Sequence, residues 1–178
     1  MKNFFNFVLL ILCWSGLAFG DEFEDTLKKA EQCDAKAQNN LGFMYKKGKS
    51  VTQDYKQAVH WYSKAAEQGY AKAQNNLGNM YHAGNGITQD YKQAAHWYSK
   101  AAEQGITEAQ HNLGLMYYNG EGVTQDYKLC YVWLSLAAAQ GNESAINNRH
   151  IIVKELLPQQ LAEAQELAAQ MQYKIDHR

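Results

Sequence analysis

A 36-residue unit occurs three times in succession in this chain of 178 residues, and it constrains the fold more than any other feature. The copies cover Ala35–Tyr70, Ala71–Ile106 and Thr107–Asn142. The first two copies are identical at 28 of 36 positions, and the second and third at 20. A period of this length is typical of solenoid proteins, whose units cannot bury their apolar faces alone and therefore share a core with their neighbours. The repeat predicts stacked units with a binding surface rather than the core of a globular enzyme.

Each unit is predicted to form two helices, A and B, joined by a tight loop. In the first unit helix A covers about Ala35–Lys47, and Ala37, Leu41, Met44 and Tyr45 form one apolar stripe with helical spacing. The loop that follows contains recurring glycines, which permit the positive φ of a sharp reversal. The expected fold is therefore all-α, a solenoid of antiparallel helix pairs.

Helix B is predicted to begin at an aspartate in every unit. The aspartates are Asp54, Asp90 and Asp126, whose carboxylates can accept hydrogen bonds from the free N–H groups of a helix start. The apolar side of helix B in the first unit is formed by Ala58, Trp61, Tyr62, Ala65 and Ala66.

Glycine also recurs in the middle of helix A, at Gly42, Gly78 and Gly114. A glycine there costs about 1 kcal/mol relative to alanine, so its recurrence predicts a packing reason. We expect a bulky ring from helix B to lie against the bare backbone. The expected rings are those of the tryptophans Trp61, Trp97 and Trp133.

The repeat has a recognisable motif. It reads Ala-x-Ala-Gln-x-x-Leu-Gly-x-Met-Tyr, then Gly-x-Gly-Val/Ile-x-x-Asp-Tyr, then Ala-x-x-Trp-Tyr-x-Lys-Ala-Ala-x-Gln-Gly. This pattern resembles the Sel1-like repeat family, which is related to the tetratricopeptide repeats, and it covers residues 35–142. The first unit departs from it at Ser50, and the third at Leu134 and Leu136. The resemblance implies a solenoid whose A helices line a concave surface, and a role in protein–protein interaction.

Both ends of the repeat array are predicted to be capped. Residues 21–34 are expected to form an N-terminal capping helix, because Thr26–Cys33 resembles the end of a helix B. Residues 143–178 are expected to form C-terminal capping helices, the last one beginning at Pro158 with an apolar stripe. The stripe is Leu161, Ala164, Leu167, Ala168, Met171 and Ile175.

The first 20 residues are predicted to be a secretory signal peptide. A short basic start with Lys2 is followed by the apolar run 4–14 and by small residues. Cleavage is expected near Gly20, or else after Ala18. A retained anchor helix is the alternative, although a membrane span needs about 20 apolar residues. We expect a periplasmic or secreted protein of a bacterium, without a stable membrane span after signal removal.

Composition and spacing argue against several classes of function. The net charge is −1, and no basic patch indicates nucleic acid as a partner. No two histidines have the i, i+4 spacing of a metal site, and His60 and His96 are copies produced by the repeat. We expect no metal and no cofactor, since phosphate-binding loops and Cys-x-x-Cys motifs are also missing from the sequence.

The cysteines bear on a possible enzymatic activity. Cys33 and Cys130 lie almost three repeats apart, which is too far along a solenoid for a disulfide between them. Cys130 is expected to be buried, because a free cysteine packs as a small apolar residue. Cys33 is expected to be exposed and able to pair between molecules. A cysteine-rich branch of the family that this chain resembles is linked to β-lactam binding and hydrolysis. That branch has two cysteines in every unit, and this chain does not. We therefore expect no enzyme.

The best candidates for a binding site are positions of helix A that differ between the copies. They are spaced three and four residues apart and so share one helix face. On the resemblance, this face would be the concave groove that binds a protein or peptide partner. The candidate residues are Asn39, Phe43, Lys46, Lys47, Asn75, Asn79, His82, His111, Leu115 and Tyr118.

The resulting hypothesis is a non-catalytic adaptor of the bacterial envelope. The groove would bind an extended peptide or a helix of the partner. A second reading within the same class is a periplasmic immunity protein that neutralises a secreted toxin, as some exported Sel1-like proteins do.

Overall fold

The computed structural model describes residues 22–177, and among these it contains helices and loops but no strand. The predicted signal peptide, residues 1–20, lies outside the described residues. Residues 22–31 are helical and are called α1. The helices that follow are α2 (Ala35–Lys47), α3 (Tyr55–Glu67), α4 (Ala71–Ala83), α5 (Tyr91–Ala102), α6 (Thr107–Asn119), α7 (Tyr127–Ala139), α8 (Glu143–Ile152) and α9 (Pro158–Asp176).

The two-helix unit predicted from the repeat is confirmed. Helices α2, α4 and α6 are the A helices, and α3, α5 and α7 are the B helices. Asp54, Asp90 and Asp126 each cap a B helix by accepting backbone N–H groups of its first turn. The predicted all-α fold of adjacent helix pairs follows from this arrangement.

Left-handed backbone conformations recur at the loop and the end of each unit. The second loop glycines Gly86 and Gly122 have φ values of 72° and 69°, and Ser50 takes the same conformation in the first unit with a φ of 60°. Cys33 has a φ of 65° where later units have a glycine, such as Gly69 at 86°. Two non-glycine residues therefore occupy positions that the repeat reserves for glycine.

The prediction that tryptophan packs against the mid-helix glycines is wrong. A Cβ at Gly42 would lie 2.7 Å from the Tyr62 ring, and one at Gly78 would lie 2.7 Å from the Tyr98 ring. At Gly114 the neighbour is Leu134, at 3.0 Å. The packing side chain belongs to the residue that follows each tryptophan. One step along a helix turns a side chain by about 100°, so the tryptophan points away from the glycine when its neighbour faces it.

The chain divides into two compact units, one ending at Tyr70 and one beginning at Ala71. In the first compact unit α1 covers the apolar face of the first repeat. The rings of Phe23 and Tyr45 meet edge to face there, with centroids 5.8 Å apart. In the second compact unit a continuous apolar core extends from Ala94 in α5 to Ala168 in α9.

Helix α9 begins at Pro158 as predicted and packs against the core of the second unit through most of its apolar stripe. Leu167 is an exception, since 37% of its surface is exposed. The buried positions Ala164 and Ala168 are four residues apart, and Leu167 lies to one side of them. No helix of the described residues is long and apolar enough to cross a membrane.

Candidate functional site

Four of the predicted binding residues belong to α2, in the first compact unit. Phe43 is 46% exposed, which is unusual for an aromatic side chain, and Lys47 is also exposed. Lys46 is half-buried, and this burial together with the nearby Lys47 lowers the pKa of its ammonium group. Asn39 is only 8% exposed and therefore offers a partner little surface.

The remaining predicted residues belong to α4 and α6, in the second compact unit. Asn75, Asn79 and His82 are half-buried on α4. On α6 His111 and Leu115 are half-buried and Tyr118 is 38% exposed. Asn79, His82, Leu115 and Tyr118 are brought to two neighbouring pockets.

The first of these is an apolar pocket of about 80 Å³ between α6, α7 and α8. Leu115 and Tyr118 of α6 contribute to its wall, and Leu134 of α7 to its base. Ile151 lies at its edge with 52% of its surface exposed. Ile151 and Tyr118 therefore form a small exposed apolar surface beside the pocket.

The second is a polar pocket of about 290 Å³ between α4 and α6. The hydroxyl of Tyr98 donates to Oδ1 of Asn79 at 2.7 Å, and Nδ2 of Asn112 lies 3.5 Å from the same oxygen. Burial raises the pKa of the Tyr98 hydroxyl well above its usual range. The hydroxyl therefore keeps its proton and donates it in the hydrogen bond to Asn79. Carboxamides offer both donors and acceptors, the groups that pair with a peptide backbone.

One rim of the polar pocket carries a carboxylate. Oε2 of Glu121 lies 3.4 Å from Nε2 of His82, and Oε1 accepts from Nδ2 of Asn119 at 3.3 Å. The His82 ring also contacts the ring of Tyr91 edge to face, with centroids 5.2 Å apart. His82 is therefore held in place by its neighbours, although nearly half of its side chain is exposed.

His111 is half-buried on α6 and contacts the capping helix α8. Its Nε2 is 3.2 Å from Nδ2 of Asn148 in α8. Burial lowers the pKa of His111, which favours the neutral imidazole that can accept this hydrogen bond.

Several residues of these pockets were missed by the sequence comparison. Tyr98 and Asn112 are shared by two or three copies of the repeat, so a search for differences between copies passed over them. Asn148 and Ile151 lie beyond the last repeat and had no copy to be compared with. The loop residue Glu121 aligns with Lys49 and Asn85, and this variation was a usable signal outside helix A.

The remaining histidines and cysteines are placed as the sequence indicated. His60 and His96 lie edge-on to Trp61 and Trp97, each with centroids 5.1 Å apart, which agrees with copies of one structural arrangement. Cys33 is exposed and Cys130 is buried, and both are free thiols. Within residues 22–177 no group of three or more His, Cys, Asp or Glu side chains is arranged to hold a metal ion.

Comparison with known proteins gives the class of this fold and then its family. The fold belongs to the class of repeat scaffolds that are built from paired helices. The Sel1 repeat family model matches residues 35–70, 71–106 and 107–142. The chain belongs to the Sel1 repeat family. Sel1 repeat proteins are generally protein-interaction modules, and their fold is typically a non-enzymatic scaffold.

Three solved structures illustrate the relationship. A Sel1 repeat protein from Oxalobacter formigenes is 38% identical with a TM-score of 0.67, and the match covers 72% of this chain and 97% of that one. The protective antigen c5321 of uropathogenic Escherichia coli is 34% identical with a TM-score of 0.59, over 86% of this chain and 41% of its own. The cysteine-rich protein B of Helicobacter pylori is 25% identical with a TM-score of 0.58, over 74% and 95%. No curated protein matches the chain.

Proposed function

We propose that this protein is an exported, non-catalytic interaction module of the bacterial envelope that binds a protein partner through its A helices. The observation that carries the proposal is the apolar pocket beside Leu115 and Tyr118, with Ile151 exposed at its edge. Contiguous apolar surface with a polar rim is characteristic of protein interaction sites, and the polar pocket adjoins this apolar one. The family's general use as an interaction scaffold agrees with this reading.

Export is part of the proposal and rests on the sequence of the first 20 residues. If it is correct, the mature protein begins near Asp21 and is recovered from the periplasm or the medium. N-terminal sequencing of the protein from its native host tests this directly, and an intact Met1 would contradict it.

The binding role is tested by affinity purification from the native host. Phe43, Leu115 and Tyr118 are replaced together by serine in one bait, and the exposed charges Lys64, Lys100 and Glu67 of the B helices are replaced in a control bait. We expect a partner that co-purifies with the wild type and the control and is lost with the serine variant. Partners that bind all three baits equally would refute a binding site on the A helices.

A further inference from the structure

Two pockets of different chemistry adjoin one another on α6. Leu115 lines both the apolar pocket and the polar pocket, so a single side chain separates them. Asn119 of the polar pocket lies one turn beyond Leu115 on the same helix, next to Tyr118 of the apolar pocket. A ligand that crosses Leu115 can therefore occupy both pockets at once.

The size of the apolar pocket limits what can enter it. An engineered apolar cavity of about 150 Å³ takes up a benzene molecule. The pocket here is about 80 Å³, which suits a branched aliphatic side chain better than an aromatic ring. The apolar lining side chains that reach the surface, Leu115, Tyr118 and Ile151, offer dispersion contacts to such a side chain.

The charge of the polar pocket selects the neighbouring side chain of the ligand. Among the described residues that line it, Glu121 is the one carboxylate, neither lysine nor arginine takes part, and His82 is the other titratable group that faces the carboxylate, at 3.4 Å. One third of the Glu121 side chain is exposed, so a ligand cation can reach it. The carboxamides of Asn79, Asn112 and Asn119 add neutral donors and acceptors. The electrostatic complement of this pocket is a basic side chain with adjacent peptide groups.

We propose that the two pockets bind one extended peptide segment of the partner, in which an aliphatic side chain and a Lys or Arg lie two positions apart. An extended chain advances about 3.3 Å per residue and points successive side chains to opposite faces, so side chains two positions apart share a face and can reach pockets that share a wall. This proposal rests on the proposed function and specifies the partner's chemistry at the same surface.

The test uses the purified protein and an array of synthetic acetylated peptides. Each peptide carries one leucine in a serine–glycine background, with Lys, Arg, Ser or Glu placed one, two or three positions to either side. We expect the strongest binding with Lys or Arg two positions from leucine and the weakest with Glu. Binding of the basic peptides should weaken as salt increases, because the Glu121 side chain is partly exposed to solvent.

Matched variants assign the binding to the two pockets. Glu121→Gln should abolish the preference for Lys over Ser while leucine remains necessary. Ile151→Ser should weaken binding of every leucine peptide by about tenfold, since burying an aliphatic side chain is worth that much or more. Glu166→Gln and Leu167→Ser, both exposed on α9 and outside both pockets, should leave binding unchanged.

The outcomes separate this inference from the proposed function. If no peptide binds with a charge preference, but the native partner is still captured and is lost with the Leu115 and Tyr118 replacements, the function stands and the peptide chemistry is wrong. Light scattering addresses a second copy of the chain as the occupant. A dimer that dissociates with Ile151→Ser would overturn the proposal.

Discussion

Two equivalent tyrosines of the B helices have different environments. The Tyr98 hydroxyl donates to Asn79, whereas the hydroxyl of Tyr62 is buried without a hydrogen-bond partner among the described residues. The difference arises because Phe43 occupies the position of Asn79 in the first repeat. In the third repeat the pair is Leu115 and Leu134, which is wholly apolar. The two positions therefore form three different pairs in the three repeats.

Replacing each tyrosine by phenylalanine should have different effects. Tyr98→Phe removes a hydrogen bond and should lower the free energy of unfolding by about 1 kcal/mol. Tyr62→Phe removes a buried unpaired hydroxyl and should be neutral or stabilising by a similar amount, about 1 kcal/mol. Urea denaturation of both variants measures the difference, and equal destabilisation would show that the Tyr62 hydroxyl does have a partner.

His111 predicts a dependence of stability on pH. Its pKa is lowered in the folded protein by burial, so the unfolded chain binds the proton more readily. The sign follows: this contribution is fully present above the ordinary histidine pKa of about 6.5 and is lost as the pH falls through the folded pKa. The thermal midpoint of His111→Gln should fall less than that of the wild type when the pH is lowered from about 7.5 to about 5. Thermal unfolding at both pH values measures the difference. His150→Gln, exposed on α8, is the control and should behave like the wild type.

At the scale of the elements, a buried glutamine connects consecutive helices. In the second compact unit Nε2 of Gln110 donates to the carbonyl of Ala102 at 3.1 Å, and its Oε1 accepts from Nε2 of Gln140 at 2.8 Å. Gln38 makes the equivalent contacts with Ala30 and Gln68 in the first unit. One fully buried side chain thus links the end of one B helix to the next A helix and to the B helix after it.

Gln110→Leu should therefore destabilise the protein, although leucine and glutamine have similar volumes. It removes both of these hydrogen bonds, although the Ala102 carbonyl still accepts from the N–H of Gly105 and the exposed Gln140 side chain can reach solvent. Each lost hydrogen bond is worth about 1 kcal/mol, so we expect a loss of about 1–2 kcal/mol in the free energy of unfolding. The control is Gln93→Ala, whose side chain is exposed on α5. An equal change in both variants would contradict a structural role for Gln110.

The loop between α6 and α7 packs against the start of α5. Gly120 and Gly122 both have positive φ, at 71° and 69°, so alanine should be strained at either position. A Cβ at Gly122 would in addition collide with the carbonyl of Tyr91, whereas at Gly120 it would lie 3.5 Å from Gln125. Gly122→Ala should lower the thermal midpoint clearly more than Gly120→Ala, and equal midpoints would argue against this loop contact.

Helix boundaries, caps and the glycine conformations could be predicted because local spacing and chain chemistry determine them. Which residue packs on Gly42 could not, because Trp61 and Tyr62 are adjacent and both apolar, and the choice depends on the rotation of α3 against α2. The buried role of Gln110 was hidden for a related reason. A polar residue that is identical in all copies can be surface or core, and only its partners decide.

At the scale of the whole molecule, comparison of the copies located part of the candidate site. It selected His82, Leu115 and Tyr118, which line the two pockets of the second compact unit. It could not select Ile151 or Asn148, because these lie on the capping helix α8, which is not a repeat copy. The apolar pocket lies where α8 meets α6 and α7, and Leu115 stays partly exposed there while Leu134 is buried.

The central claim is that the partner contacts the A helices. The most direct test places a photo-crosslinking amino acid at Tyr118 in one variant and at Lys128, on the B helix α7, in another. The native host is irradiated and the adducts are identified by mass spectrometry. The account predicts a discrete adduct from position 118 that is absent at position 128. Adducts from position 128 alone would contradict it and would place the interaction surface on the B helices.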